Sequence, residues 1–239
     1  MSGLPSSLLL SGGLPDWIPF TEEDVTFRGD LDGIMDTFVW EGPQITATWS
    51  RNVSRTWWSR YHMLTGPKIE DFGISRDGDL LLQVRVRFSY TGLDGIVSPA
   101  FMVNLSTTGG TGYGDFPTNR GAAAGVRYVG GSAMRGLVHS TQDITQPGAV
   151  TAAGEDFSAG EITEMVATFN PNYLSSGNVI AEFYNSEGEV LVRKNAGGVG
   201  TNAPTNLFFG FGNIEAGSAG SVVMSAQYDW RTFRMRTGT

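Results

Sequence analysis

The side chains best suited to recognition fall in one short segment. Trp49, Arg51, Arg55, Trp57, Trp58, Arg60, Tyr61 and His62 lie within fourteen residues. An indole or phenol face stacks on a sugar ring, and a guanidinium donates in a fixed fork to hydroxyls or carboxylates. The same residue types anchor protein interfaces. Trp57, Trp58, Arg60 and Tyr61 are therefore the candidates for glycan or interface contact. Packing in a core is the alternative. Trp57 and Trp58 are neighbours, so on a regular strand they point to opposite faces, one inward and one outward.

Carboxylates form the second group. They cluster at Glu22-Glu23-Asp24, Asp30-Leu31-Asp32, Glu70-Asp71 and Asp77-Gly78-Asp79. Two carboxylates held about 5–10 Å apart can cleave a glycosidic bond, but spacing in sequence does not establish that separation. Asp30-x-Asp32-Gly33 matches the start of a calcium loop and lacks its remaining ligands and terminal Glu. Solvated turn carboxylates are the simpler reading, and calcium is left open. Arg28-Gly29-Asp30 is a three-residue match to an integrin-type tripeptide, which chance explains.

Several chemistries are excluded. There is no cysteine, hence no disulfide, thiolate metal site or cysteine nucleophile. The two histidines, His62 and His139, belong to no zinc-binding pattern, and no Gly-x-Ser-x-Gly elbow accompanies them. The glycines of Gly109-Gly110-Thr111-Gly112-Tyr113-Gly114 are wrongly spaced for a phosphate loop, and the lysines are only Lys68 and Lys194. A net charge of −8 argues against nucleic acid. Fourteen of the 16 basic residues are arginine, which suits protein contacts. Arg231, Arg234 and Arg236 near the end of the chain can make such contacts or face solvent.

The elements that must hold these residues are strands. Glycine and proline exceed a seventh of the chain and favour tight turns over long helices. Ile45, Ala47 and Trp49 alternate with Thr46, Thr48 and Ser50. Leu82, Val84, Val86 and Phe88 alternate with Gln83, Arg85, Arg87 and Ser89, the clearest half-buried strand. Further strands are expected at 100–105, 125–129, 136–140, 164–170, 179–184, 190–194, 207–211 and 222–235. Asn185-Ser186-Glu187-Gly188 reads as a hairpin turn, and so does the stretch around Asp77-Gly78. Ten or more short strands without a helix predict an all-β, two-sheet antiparallel sandwich over residues 24–239.

Residues 1–23 read as an extended arm. Pro5, Pro15 and Pro19 block a continuous helix, while Leu8, Leu9, Leu10, Leu14, Trp17, Ile18 and Phe20 are too apolar for a free tail. The arm contacts expected are Leu8, Leu9, Leu10, Trp17, Ile18 and Phe20, made either with its own domain or with a neighbouring subunit. No basic residue precedes the leucines and the apolar run is short, so a cleaved signal is not expected. No run of eighteen apolar residues suggests a transmembrane helix.

The order Met165–Asn170, Val179–Asn185, Gly188-Glu189-Val190, Leu207–Asn213 and Tyr228–Arg234 resembles the concanavalin A-like (laminin-G-like) jelly rolls of bacteriophage virion proteins. The similarity spans roughly residues 160–236 and implies a curved two-sheet sandwich used for carbohydrate binding or as a structural module. The Glu-x-Asp-x-x-Glu strand motif of the glucanase members is missing, so no glycosidase activity follows from it. None of the family's calcium or sugar ligands transfers to a position here.

The resulting expectation is a non-enzymatic virion structural or adhesion protein, a tail, fibre or capsid-associated module. Its partners would be other virion proteins and further copies of itself, with a host surface glycan as an additional candidate. No cofactor, nucleic acid or membrane insertion is expected. The alternative is a carbohydrate-binding module or a glycan-cleaving enzyme of the same fold.

Overall fold

A computed structural model describes residues 14–27, 35–51, 60–74, 79–91, 99–106, 121–129, 133–140, 152–158, 160–169, 178–197, 206–213 and 220–234. The strands in chain order are β1 (Ile18–Pro19), β2 (Thr26–Phe27), β3 (Met35–Glu41), β4 (Gln44–Arg51) and β5 (Arg60–Lys68). They continue as β6 (Leu80–Thr91), β7 (Pro99–Ser106), β8 (Gly121–Val129), β9 (Ala133–Ser140) and β10 (Ala152–Ser158). The last five are β11 (Glu164–Phe169), β12 (Asn178–Tyr184), β13 (Val190–Gly197), β14 (Asn206–Asn213) and β15 (Gly220–Arg234). Two short 3-10 turns, Glu22–Asp24 and Ile69–Phe72, interrupt them. Among the described residues no helix is long and apolar enough to cross a membrane.

The strands form two antiparallel sheets. The first runs β13-β12-β11-β6-β15-β4-β3, with β1 also paired to β15. The second runs β10-β9-β8-β7-β14-β5-β2. The chain passes repeatedly between the layers, and β6 finds its neighbours, β11 and β15, far along the sequence. These are the crossed connections of a two-sheet jelly roll: the strand pattern predicted the two sheets, and the resemblance implied the jelly roll.

Alternation decides which side chains fill the space between the sheets. On β6, Leu82, Val84, Val86 and Phe88 are buried and join the core. Phe88 stacks on Phe101 of the opposite sheet with centroids 4.5 Å apart, and Phe209 meets Tyr228 at 4.7 Å. Each fully buried apolar side chain of this size contributes roughly 1.5–3 kcal/mol. The sheets approach closely at Gly136, where a Cβ atom would lie 2.9 Å from the Phe183 ring. The β12–β13 hairpin turns where the sequence placed it. Gly188 holds φ +80°, and the Asn185 side chain accepts hydrogen bonds from the Glu187 and Glu189 amides at 3.0 and 2.9 Å.

Besides the two-residue β1 and β2, three strands lack a clear signal: β3, β5 and β10. β5 contains Gly66-Pro67, a pair that reads as a breaker. The register against β14 slips between Asn206 and Phe208, opposite this pair, and that irregularity accommodates the proline. The turn around Asp77-Gly78 and the calcium-like Asp30-x-Asp32-Gly33 lie outside the described residues, as do Leu8, Leu9 and Leu10.

The rest of the arm is laid into the body. Ile18 and Pro19 pair with Trp230 and Asp229 of β15, beyond the point where β4 ends. The Phe20 amide donates to the Tyr228 carbonyl at 2.9 Å. Its buried ring packs edge-on against Phe209 at 4.7 Å and Phe72 at 6.2 Å. Phe20 is thus buried within the chain, whereas Ile18 pairs through its backbone and leaves its side chain exposed.

Candidate functional site

The residues that alternate with the core on β6 and β15 face away from the second sheet. Strand register sets them side by side: Gln83 opposite Arg231, Arg85 opposite Asp229, Arg87 opposite Gln227, and Ser89 opposite Ser225. β11 adds Thr168 beside Gln83, and Glu164 beside Arg87. Gln83, Thr168 and Asp229 are 8%, 8% and 2% exposed, and they are the three buried polar or charged side chains among the described residues. All three belong to this one face.

Their burial is balanced by hydrogen bonds. Asp229 Oδ2 accepts from Arg85 Nε at 2.9 Å, Arg85 Nη2 at 2.7 Å and Arg87 Nη2 at 3.0 Å, while Oδ1 accepts from Gln227 Nε2 at 3.0 Å. Such charge-assisted bonds are the strong ones, and both carboxylate oxygens are engaged. A second chain runs crosswise. Arg231 Nε donates to Gln83 Oε1 at 2.8 Å, and Gln83 Nε2 donates to Thr168 Oγ1 at 2.8 Å. Trp17 covers this corner, its ring centroid 4.0 Å from the Arg231 guanidinium carbon and 4.5 Å from that of Arg85.

The flanks carry coupled charges. Burial pushes the Glu164 carboxyl above its ordinary range, against the opposing pull of Arg85 and Arg87. Burial raises the Tyr184 phenol, and Glu182 adds to the effect by accepting the phenol's hydrogen bond at 3.0 Å. Arg231 is pulled the other way: burial and the neighbouring Arg85 disfavour its cation. Among the described residues no carboxylate pairs with it.

Beside this network lies an open trough of about 250 Å³, lined by Gln44, Arg87, Ser89, Ser225 and Gln227 over the backbone of Phe88 and Ala226. At its edge the hydroxyls of Thr46 and Ser225 share a hydrogen bond of 3.2 Å. The lining combines amides and hydroxyls, which both donate and accept, with one guanidinium that only donates.

Of the residues singled out in the sequence, Trp17 and Arg231 stand on this face. Trp57 and Trp58 lie outside the described residues. Arg60 and Tyr61 open β5 in the second sheet, in register with Asn213 and Gly212 of β14. Trp17, expected as an arm contact, lies over Arg85 and Arg231. In the sequence Gln83, Arg85 and Arg87 are the polar half of an alternating strand, and β15 carries the same signal as Ser225, Gln227, Asp229 and Arg231. What the sequence could not show is that these two rows adjoin. Among the described residues no group of three or more His, Asp and Glu side chains could hold a metal ion.

No protein-family model matches the chain, and no curated protein is similar to it in sequence. Solved structures resemble it in outline. Lectin II from Ulex europaeus is 12% identical with a TM-score of 0.49, covering 92% of this chain and 99% of the lectin. A functionally unknown protein from Saccharomyces cerevisiae is 10% identical with a TM-score of 0.48, covering 92% and 100%. The CBM2 module of the evolved Dit of Lactobacillus casei BL23 phage J-1 is 11% identical with a TM-score of 0.44, covering 85% and 81%. At such scores the likeness says nothing about what this chain binds.

Proposed function

We propose that this chain is a non-enzymatic binding module and that the outer face of its first sheet holds a glycan. The observation that carries the reading is the polar array around the trough. Arg87, Gln227, Ser225 and Thr46 are each fixed by a partner on the protein itself. Groups ordered in advance lose little freedom when a ligand arrives, and an open groove of amides and hydroxyls matches the hydroxyls of a sugar chain. Binding is favoured over cleavage because the most buried carboxylate of this face, Asp229, takes four donated hydrogen bonds. A carboxylate so engaged is a poor nucleophile or proton carrier.

In the same reading the module serves a virus particle, as a tail, fibre or capsid-associated unit whose ligand is a host surface glycan. The support for that setting is the sequence resemblance over residues 160–236. Titration of the full chain against a bacterial polysaccharide panel tests the glycan reading. Gln227→Ala should weaken binding to the best ligand by about tenfold, since it removes one contact and loosens Asp229. A panel without any binder, or a binder indifferent to Gln227→Ala and Arg87→Ala alike, would overturn it.

A further inference from the structure

The trough accounts for only half of the polar face. The other half, under Trp17, has an imbalance of charge. Arg85 and Arg87 share Asp229, but the direct contacts of Arg231 among the described residues are neutral: the Gln83 amide oxygen at 2.8 Å, the Pro15 carbonyl at 3.4 Å and the Trp17 ring at 4.0 Å. It is a half-buried cation with no carboxylate at ion-pair distance among the described residues; the Glu164 carboxylate favours it only from further off. Its Nε is committed to Gln83 and its Nη1 to Pro15, while Nη2 donates to no acceptor among the described residues. Nη1 carries a second N–H beside the one that reaches Pro15, so Nη1 and Nη2 together keep an end-on fork to spare while the guanidinium is held in position. Fixing a guanidinium in advance favours a planar, two-oxygen acceptor, which is the geometry of a carboxylate.

The position fits a ligand that already occupies the trough. Arg231 and Gln227 lie on one strand, four residues apart and on the same face, a rise of roughly 13 Å. Trp17 is only half-buried although two guanidiniums lie against its ring. Its remaining surface offers a face on which a sugar ring can stack. A short oligosaccharide running along β15 would meet amides and hydroxyls at one end, and an indole beside a guanidinium without a directly paired carboxylate at the other.

From this juxtaposition we infer that the Trp17–Arg231 corner takes the carboxylate of an acidic sugar, so that the ligand is a uronic-acid-containing glycan. The inference rests on the glycan reading above and narrows it to a chemical class. The two can fail separately.

The full chain is titrated calorimetrically with a panel of polyuronates, with the same polymers after carboxyl reduction, and with a sulfated polymer of neutral sugars. The reduced polymers keep the backbone and lose the charge. The expected result is binding to at least one polyuronate that falls by about tenfold or more on carboxyl reduction. Arg231→Gln should cause a loss of similar size, and Arg231→Lys, which keeps the charge and loses the fork, a smaller one. Trp17→Ala should weaken the same ligand, with the thermal melt of each variant confirming that it is folded. Arg234→Gln, which alters an exposed pair with Asp79 further along β15, should change nothing. Equal binding of the acidic and reduced forms, or a tight acidic ligand indifferent to Arg231→Gln, would overturn the inference and leave the glycan reading intact. Equal binding of the sulfated polymer would overturn the carboxylate assignment. No binding to any acidic or neutral polymer would overturn both readings.

Discussion

The two faces of the first sheet are built from the same strands and obey different rules. Facing inward, Leu82, Val84 and Val86 of β6 lie among Met224, Ala226 and Tyr228 of β15 in a continuous apolar layer. Facing outward, Gln83, Arg85 and Arg87 of β6 meet Gln227, Asp229 and Arg231 of β15 in specific donor–acceptor pairs. The inner face asks for apolar volume, and many residues can supply that. The outer face asks for particular atoms at particular distances, and each partner removed strands the others. In the proposed reading, recognition belongs to the outer side alone, one residue away along the same backbone from the apolar core.

The sharpest way to break this comparison is to damage each side in turn. On the inner side, Phe183→Ala empties the space of a fully buried ring that presses against Gly136. It should cost about 3–5 kcal/mol in denaturant unfolding, with glycan affinity of the folded fraction unchanged. On the outer side, Asp229→Ala strands Arg85 and Arg87. A loss of about 2–4 kcal/mol is expected, accompanied this time by loss of binding. If Asp229→Ala lowered stability and spared binding, the outer face would be structural and the division would fail.

The smallest effect lies at Glu164. Burial raises its pKa from the ordinary 4.5, so the folded chain holds that proton more tightly than the unfolded chain does. The stability this provides is complete below the unfolded-state pKa and is lost as pH rises through the folded one. Glu164→Gln escapes that loss. Relative to the parent it should raise Tm by roughly 1–2 °C at about pH 7 and leave it unchanged at about pH 3.5. A decrease at pH 7 would show that Glu164 is needed there as an anion, as a partner for the arginines.

The inner face was the legible one. Leu82, Val84, Val86 and Phe88 announce a half-buried strand because burial imposes a period of two on neighbouring residues. The Asn185–Gly188 turn is legible for a similarly local reason, since Asn and Gly satisfy that backbone within a few residues. The outer face is assembled from distant parts. Arg85 and Asp229 are separated by 144 positions, and Arg231 reaches Pro15 across 216. Each contributes one polar residue to an alternation that any solvated strand would show. Trp17 was legible as an apolar residue in need of shelter, while its use as a cover for two cations depends on where β4 stops and β1 begins. β10 left little trace, because Ala152-Ala153-Gly154-Glu155-Asp156 has neither alternation nor bulk.

The most direct test of the binding face is the side-chain NMR spectrum of the arginine Nε–H groups, recorded while the best polysaccharide fragment is titrated in. Arg85, Arg87 and Arg231 stand on the proposed face, whereas Arg234 pairs with Asp79 at the exposed end of β15. Saturable shifts at Arg87 and Arg231, with Arg234 unmoved, are the predicted outcome. Shifts confined to arginines off this face, with Arg85, Arg87 and Arg231 unchanged at saturation, would place the ligand elsewhere and contradict the account.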